Sequence, residues 1–223
     1  MGEIIQISRP DGKLCPAYLV APKSAANAPG FVVIQEWWGL NDHIRNIADR
    51  LAKVGYRALV PDLYRGKVAT AADEASHLMT DLNFPDAASQ DIRGAVQYLK
   101  QSSRKVAVGG FCMGGALTLM SALVVPEMDA GAVFYGIPPV EAAELMKISI
   151  PLICHYANTD DWCTPARVND LEKTLKQSKS HFELYRYNAQ HAFMNEARPE
   201  VYEPASAKAA WERTLAFMEK ALA

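Results

Sequence analysis

The chain has 223 residues, half of them hydrophobic and 22% charged, with a formal net charge of −2 at pH 7. That balance suits one globular domain, residues 1–223, with a sizeable core; it excludes a disordered chain, and a pI near 6.2 offers no basic field for nucleic acid. Cys15, Cys112, Cys154 and Cys163 form no CxxC pair, and MGEIIQISRPDGK lacks a secretory pattern, so free thiols and a cytoplasmic location are expected.

In chain order, EIIQIS and LCPAYLV read as strands around the turn RPDGK. FVVIQ (31–35) is a continuous apolar run, as a strand buried on both faces would be. Ile44, Ile47, Ala48, Leu51 and Val54 recur at helical spacing, with Gly55 placed to end the helix. RALVP is another buried strand. A variable region, 64–85, leads into a helix near 86–101 with Ile92, Ala95, Val96 and Leu99 on one face. Strand KVAVGG, a turn at Cys112 and a helix through 117–123 come next, followed by the strand candidates AGAVFYG and PLICHYA. Thr164-Pro165 has the form of an N-cap with proline at the first helical position, opening a helix to about Lys176. FELYRY is a last strand, and Trp211, Leu215, Met218 and Leu222 mark a closing helix. The alternation predicts an α/β fold with a mostly parallel central sheet and helices on both faces.

Val106 to Pro126 runs 21 residues without a charge, which is membrane-spanning length. Two glycine pairs, Gly109-Gly110 and Gly114-Gly115, interrupt it, and each glycine weakens a helix by about 1 kcal/mol relative to alanine. A buried strand, a tight turn and a buried helix explain the stretch better, so no membrane partner is expected.

The turn itself, Gly110-Phe111-Cys112-Met113-Gly114, is a G-x-C-x-G pattern, a nucleophile elbow with cysteine in the serine position. Glycines relieve the crowding where a strand turns abruptly into a helix, and the helix amides then lie behind the projecting side chain. The positive helix N-terminus favours thiolate, and the amide of Met113 can donate to a developing oxyanion. A cysteine nucleophile needs a base, and the base needs a group that orients it; on an elbow of this kind the chain order is nucleophile, acid, histidine. NTDDWCTP offers Asp160 or Asp161 after one strand, and NAQHAF offers His191 after the last. Counting from the strand end favours Asp160; counting back from Pro165 favours Asp161. His43, His77, His155 and His181 read as surface or structural residues.

Together these segments resemble the dienelactone hydrolase (carboxymethylenebutenolidase) family of the α/β-hydrolase superfamily. The resemblance rests on VVIQEWWGLNDHIRNIADRLAKVGYRALVPDLYRG, the elbow GGFCMGGAL, the loop ANTDDWCTP and the ending QHAF…AWERTLAFM, nearly the whole chain. It implies a carboxylic ester hydrolase acting on small lactones or activated esters through a thioester, with no metal or organic cofactor. It implies Cys112 as nucleophile, His191 as base, Asp160 (or Asp161) as its orienter, and the amides of Met113 and Trp37 as the oxyanion hole. Glu36 matches a family glutamate that contacts the resting thiol; its plainer reading is half of an ion pair beneath the loop. The family's dienelactone enzymes hold the substrate carboxylate with two arginines. Here 69–89 contains none, Asn195 stands where the second is expected, and Arg65 and Arg198 are the nearby cations.

Two other readings compete. One is an α/β-hydrolase-fold protein that binds or senses through a merely reactive Cys112. The other is an amidotransferase-like enzyme pairing His191 with Glu196, which leaves the early QEWWGLN segment unexplained. A metal set of Cys154, His155, Asp160 and Cys163 matches no tetrahedral spacing. A monomer or a small homo-oligomer is compatible with everything above.

Overall fold

The computed structural model describes residues 2–24 and 26–223. Eight strands form one sheet in the order β1-β2-β4-β3-β5-β6-β7-β8. β1 (Glu3–Ser8) and β2 (Leu14–Val20) pair antiparallel, and β2 pairs antiparallel with β4 (Arg57–Pro61). From β4 onward through β3 (Gly30–Ile34), β5 (Val106–Phe111), β6 (Ala130–Phe134), β7 (Leu152–Thr159) and β8 (Phe182–Gln190), every pairing is parallel.

Alternate residues of the central strands feed two faces. Phe31 and Val33 pack with α1 (Asp42–Lys53) and α8 (Pro204–Ala221), the latter through Ala210, Phe217 and Met218. Val32 and Ile34 face the other way, toward Ile92, toward Val96 and Leu99 of α4 (Arg93–Lys100), and toward Leu117 of α5 (Met113–Val124). α7 (Pro165–Leu175) covers that second face farther along, through Val168, Leu171 and Leu175. The caps are chemical: Asn41 Oδ1 accepts from Ile44 N at 3.1 Å to open α1, and the Thr164 hydroxyl accepts from Arg167 N to open α7 behind Pro165.

The 21-residue uncharged stretch is β5 followed by α5, both buried, and no helix among the described residues is long and apolar enough to cross a membrane. Three features were not legible in the sequence. The variable region holds α2 (Ala72–Asp81), which buries only Ala75 and has no side-chain cap. The long helix expected near 86–101 is built in three parts: α3 (Phe84–Asp86), a π-helical segment Ala87–Ile92, and α4 (Arg93–Lys100). α5 starts at Met113, immediately after the cysteine, rather than at Leu117.

After β3 the chain passes to β4 on one side of it and then to β5 on the other. This places the topological switch, where ligands bind in open α/β sheets, between the carboxyl ends of β3 and β5.

Candidate active site

The register carries distant segments to one level of the sheet edge. Ile34 pairs with Gly110 and Phe111 with Phe134, so the residues just beyond β3, β5 and β6 emerge together: Glu36 and Trp37, Cys112, and Tyr135. Farther along, Thr159 pairs with Gln190, which makes Asp160 and His191 neighbours at the ends of β7 and β8.

Cys112 has φ 56° and ψ −115°, a conformation that side-chain-bearing residues rarely adopt. Backbone packing holds it there: Cys112 N donates to Phe134 O at 3.0 Å, and its carbonyl accepts from Gly115 N and Ala116 N. The glycine requirement is steric. A Cβ on Gly110 would overlap the carbonyl of Gly114, and one on Gly136 would overlap the carbonyl of Cys112. Tyr135 (φ 40°) and Ala192 (φ 64°) are also left-handed, so three of the five such non-glycine residues among those described lie beside one cavity. Strain of about 1–3 kcal/mol at each persists only where surrounding packing over-determines it, and it concentrates at functional sites.

His191 Nδ1 and Asp160 Oδ2 are 2.8 Å apart. Asp160 is buried, and its other oxygen accepts from the amides of Trp162 and Cys163, each at 2.8 Å. Burial raises its pKa, but the donations from His191 and the two amides outweigh that and bring it below the usual carboxylate value. Asp161 is exposed, so Asp160 is the carboxylate that reaches the histidine. Burial lowers the His191 pKa, while Asp160 and the nearby Cys112 sulfur together raise it to about 10. Nε2 is buried and makes no hydrogen bond of ordinary geometry among the described residues, while Cys112 is, with Asp160, a neighbour that raises the histidine's pKa.

Glu36 is 1% exposed. Its Oε1 accepts from the Tyr135 hydroxyl at 3.2 Å and its Oε2 from Asn195 Nδ2 at 2.6 Å. These neutral donors, rather than the thiol or an ion-pair partner, take its two oxygens. Burial raises the Glu36 pKa, opposed by Asn195, His191 and Tyr135. Asn195 Oδ1 accepts from Ala197 N at 3.0 Å, which orients its NH2 toward Glu36. Sequence reasoning missed Tyr135 and treated Asn195 only as an absent cation. The signal for Tyr135 was its place directly after β6, matching that of Cys112 after β5.

Glu36, Trp37, Cys112, Met113 and His191 line one cavity of about 340 Å³, with Asp160 behind the histidine. Arg198 lines it too, its guanidinium 5.4 Å from the Trp38 ring and its Nε donating to Glu200 at 2.7 Å. Arg167, not foreseen, is a second lining cation. Arg65 points elsewhere, bonded to Asp91 and the carbonyl of Asp62. His155 is fully buried, its ring nitrogens bonded to Tyr187 and Thr214 at 2.8 Å each. Among the described residues no group of three or more His, Cys, Asp or Glu is arranged to hold a metal.

A strained residue between a parallel strand and a helix, backed by a histidine and an aspartate from later strand ends, defines an α/β hydrolase. The chain belongs to the dienelactone hydrolase family, whose model matches residues 15–222. It is 35% identical to protein usf of Aquifex pyrophilus over the full length of both. It is 32% identical to a protein of Aquifex aeolicus named "Putative carboxymethylenebutenolidase", covering 98% of each. Among solved structures it resembles the "Putative Dienelactone Hydrolase from Klebsiella pneumoniae", with a TM-score of 0.87, 25% identity and 99% of each chain covered. These relatives support a carboxylic ester hydrolase.

Proposed function

We propose that this hydrolase cleaves lactones or activated carboxylic esters through a Cys112–His191–Asp160 triad and a thioester on Cys112. The observation that carries the reading is the 2.8 Å contact of His191 with buried Asp160 beside a cysteine held at φ 56° on the same cavity.

His191 Nε2 takes the proton of the Cys112 thiol, and Asp160 at Nδ1 holds the ring in place and balances its charge. Sγ attacks the carbonyl carbon, forming the S–C bond, and the carbonyl oxygen becomes an oxyanion. The amide of Met113, at the free end of α5, and that of Trp37 receive it. The C–O bond then breaks and the leaving oxygen takes the proton from Nε2, leaving a thioester. Water, deprotonated by His191, attacks that thioester; the C–S bond breaks, the acid departs and the thiol regains its proton. Because thiolate leaves more readily than alkoxide, the intermediate reverts unless the departing oxygen is also well stabilised, which favours activated substrates. Tyr135 and Asn195 hold Glu36 under the Trp37 loop, keeping the second oxyanion donor in position.

Asn195 in place of a cation means that a substrate carboxylate meets no arginine immediately beyond His191. The cations that line the cavity and could meet a substrate carboxylate are Arg167 and Arg198. Turnover of p-nitrophenyl acetate by the wild type and by Cys112→Ala tests the reading: continued turnover lost in the variant supports it. A single stoichiometric burst in the wild type without further hydrolysis would instead favour a sensing role for the thiol.

A further inference from the structure

Three of the chain's four tryptophans, Trp37, Trp38 and Trp162, line the cavity. Trp162 stands out because its side chain is 57% exposed while its backbone is bonded on both sides. Its amide donates to Asp160 Oδ1 at 2.8 Å, and its carbonyl accepts from Arg167 Nη1 at 2.5 Å. Arg167 reaches Ile137 O as well, at 3.5 Å, which ties the loop to the segment after β6. These bonds fix the backbone at Trp162, and its half-exposed indole projects from that anchored loop instead of folding into the core. Its ring centroid lies 6.0 Å from that of Trp37 and 6.4 Å from that of His191.

The position of His191 says which part of a substrate this ring meets. The departing oxygen must take its proton from Nε2, so the leaving group lies on the histidine side of the Cys112 sulfur, and Trp162 is the exposed ring on that side. We propose that Trp162 and Trp37 form a leaving-group subsite that selects esters of phenols. This rests on the acyl-transfer reading above and narrows it. The chemistry agrees with the shape: a phenolate is a stabilised anion that competes with thiolate for departure, and its planar ring can stack on the exposed indole of Trp162 where that ring meets Trp37 edge to face. Trp162 is thus a specificity-determining residue, placed by the same loop that supplies Asp160.

The test compares 2-naphthyl acetate with vinyl acetate, both activated and differing in the leaving group. In Trp162→Ala the ratio of kcat/KM for 2-naphthyl over vinyl acetate falls about tenfold, mainly through KM, and Trp162→Phe restores it to within about threefold. A ratio within about twofold of the wild type in Trp162→Ala overturns the subsite, whatever happens to the individual rates. Calorimetric titration of 2-naphthol, the product alcohol, into Cys112→Ala reads the subsite without chemistry. Its Kd weakens about fivefold when Trp162→Ala is added. If the wild type hydrolyses neither ester but 2-naphthol binding still depends on Trp162, the acyl-transfer reading falls and takes the leaving-group role with it, leaving an aryl-binding site at Trp162. Binding indifferent to Trp162 removes the subsite alone.

Discussion

Asn195→Ala separates a buried carboxyl held by neutral donors from one that merely packs. The substitution removes the 2.6 Å donation to Glu36 Oε2 and leaves that oxygen, on a residue 1% exposed, with no substitute donor. A hydrogen bond to a charged group contributes about 1.5–3 kcal/mol, and an unsatisfied buried acceptor costs a similar amount, so a loss of about 2–3 kcal/mol is expected at pH 8. The loss must depend on pH. Burial already lifts the Glu36 pKa above its ordinary value, and Asn195 is the foremost group pulling it back. Between the unfolded value, about 4.3, and the raised folded one, the native state binds more protons, so stability rises as pH falls through that window. Removing Asn195 pushes the folded value higher and extends the window upward. The deficit is therefore larger at pH 8 than at pH 5, because the raised pKa of the variant's Glu36 increasingly favours the protonated form as pH falls, and a neutral carboxyl depends less on the donor. Urea unfolding at both pH values measures it. A deficit equal at the two pH values, or below about 0.5 kcal/mol at pH 8, would mean that Asn195 does not hold an ionised Glu36.

Two further outcomes follow from the same geometry. Asp160→Asn lowers kcat for p-nitrophenyl acetate about a thousandfold or more, because the amide no longer fixes or charge-balances His191, whereas Asp161→Asn stays within about threefold; the reverse ranking shows that the other carboxylate serves the histidine. His155, pressed to a pKa of about 3 by burial, contributes stability that is complete above its unfolded pKa near 6.5 and is lost as pH falls through 3. Wild-type stability thus falls between pH 6 and pH 4 more steeply than that of His155→Phe, by about 1.4 kcal/mol per pH unit, and equal slopes in urea titrations would contradict this.

The parts of this molecule that could be read from sequence are those where one segment carries its own signal. The buried strands announce themselves as apolar runs, Phe31 to Ile34 above all, and Thr164-Pro165 marks a helix start by cap chemistry alone. The elbow was legible because glycines flank Cys112 where strand meets helix. Asp160 and His191 were legible because each directly follows a strand, which fixes its depth. Hidden features depend on contacts across the fold. α2 has too narrow a buried face to leave a periodic trace, since only Ala75 is buried. The partners of Glu36 come from positions 99 and 159 residues away, and no local pattern links Tyr135 or Asn195 to it. Arg167 reads as an ordinary helix residue until the loop brings its guanidinium to the carbonyl of Trp162.

The proposed function stands or falls on acyl transfer through Cys112. Acid quenching during turnover of p-nitrophenyl acetate, followed by peptide mass spectrometry, tests it most directly. An acetyl group is expected on the peptide carrying Cys112, enriched in Asp160→Asn, where deacylation lacks an oriented base, and absent from Cys112→Ala along with turnover. An acetyl group on a different residue, or wild-type turnover in Cys112→Ala, would contradict it.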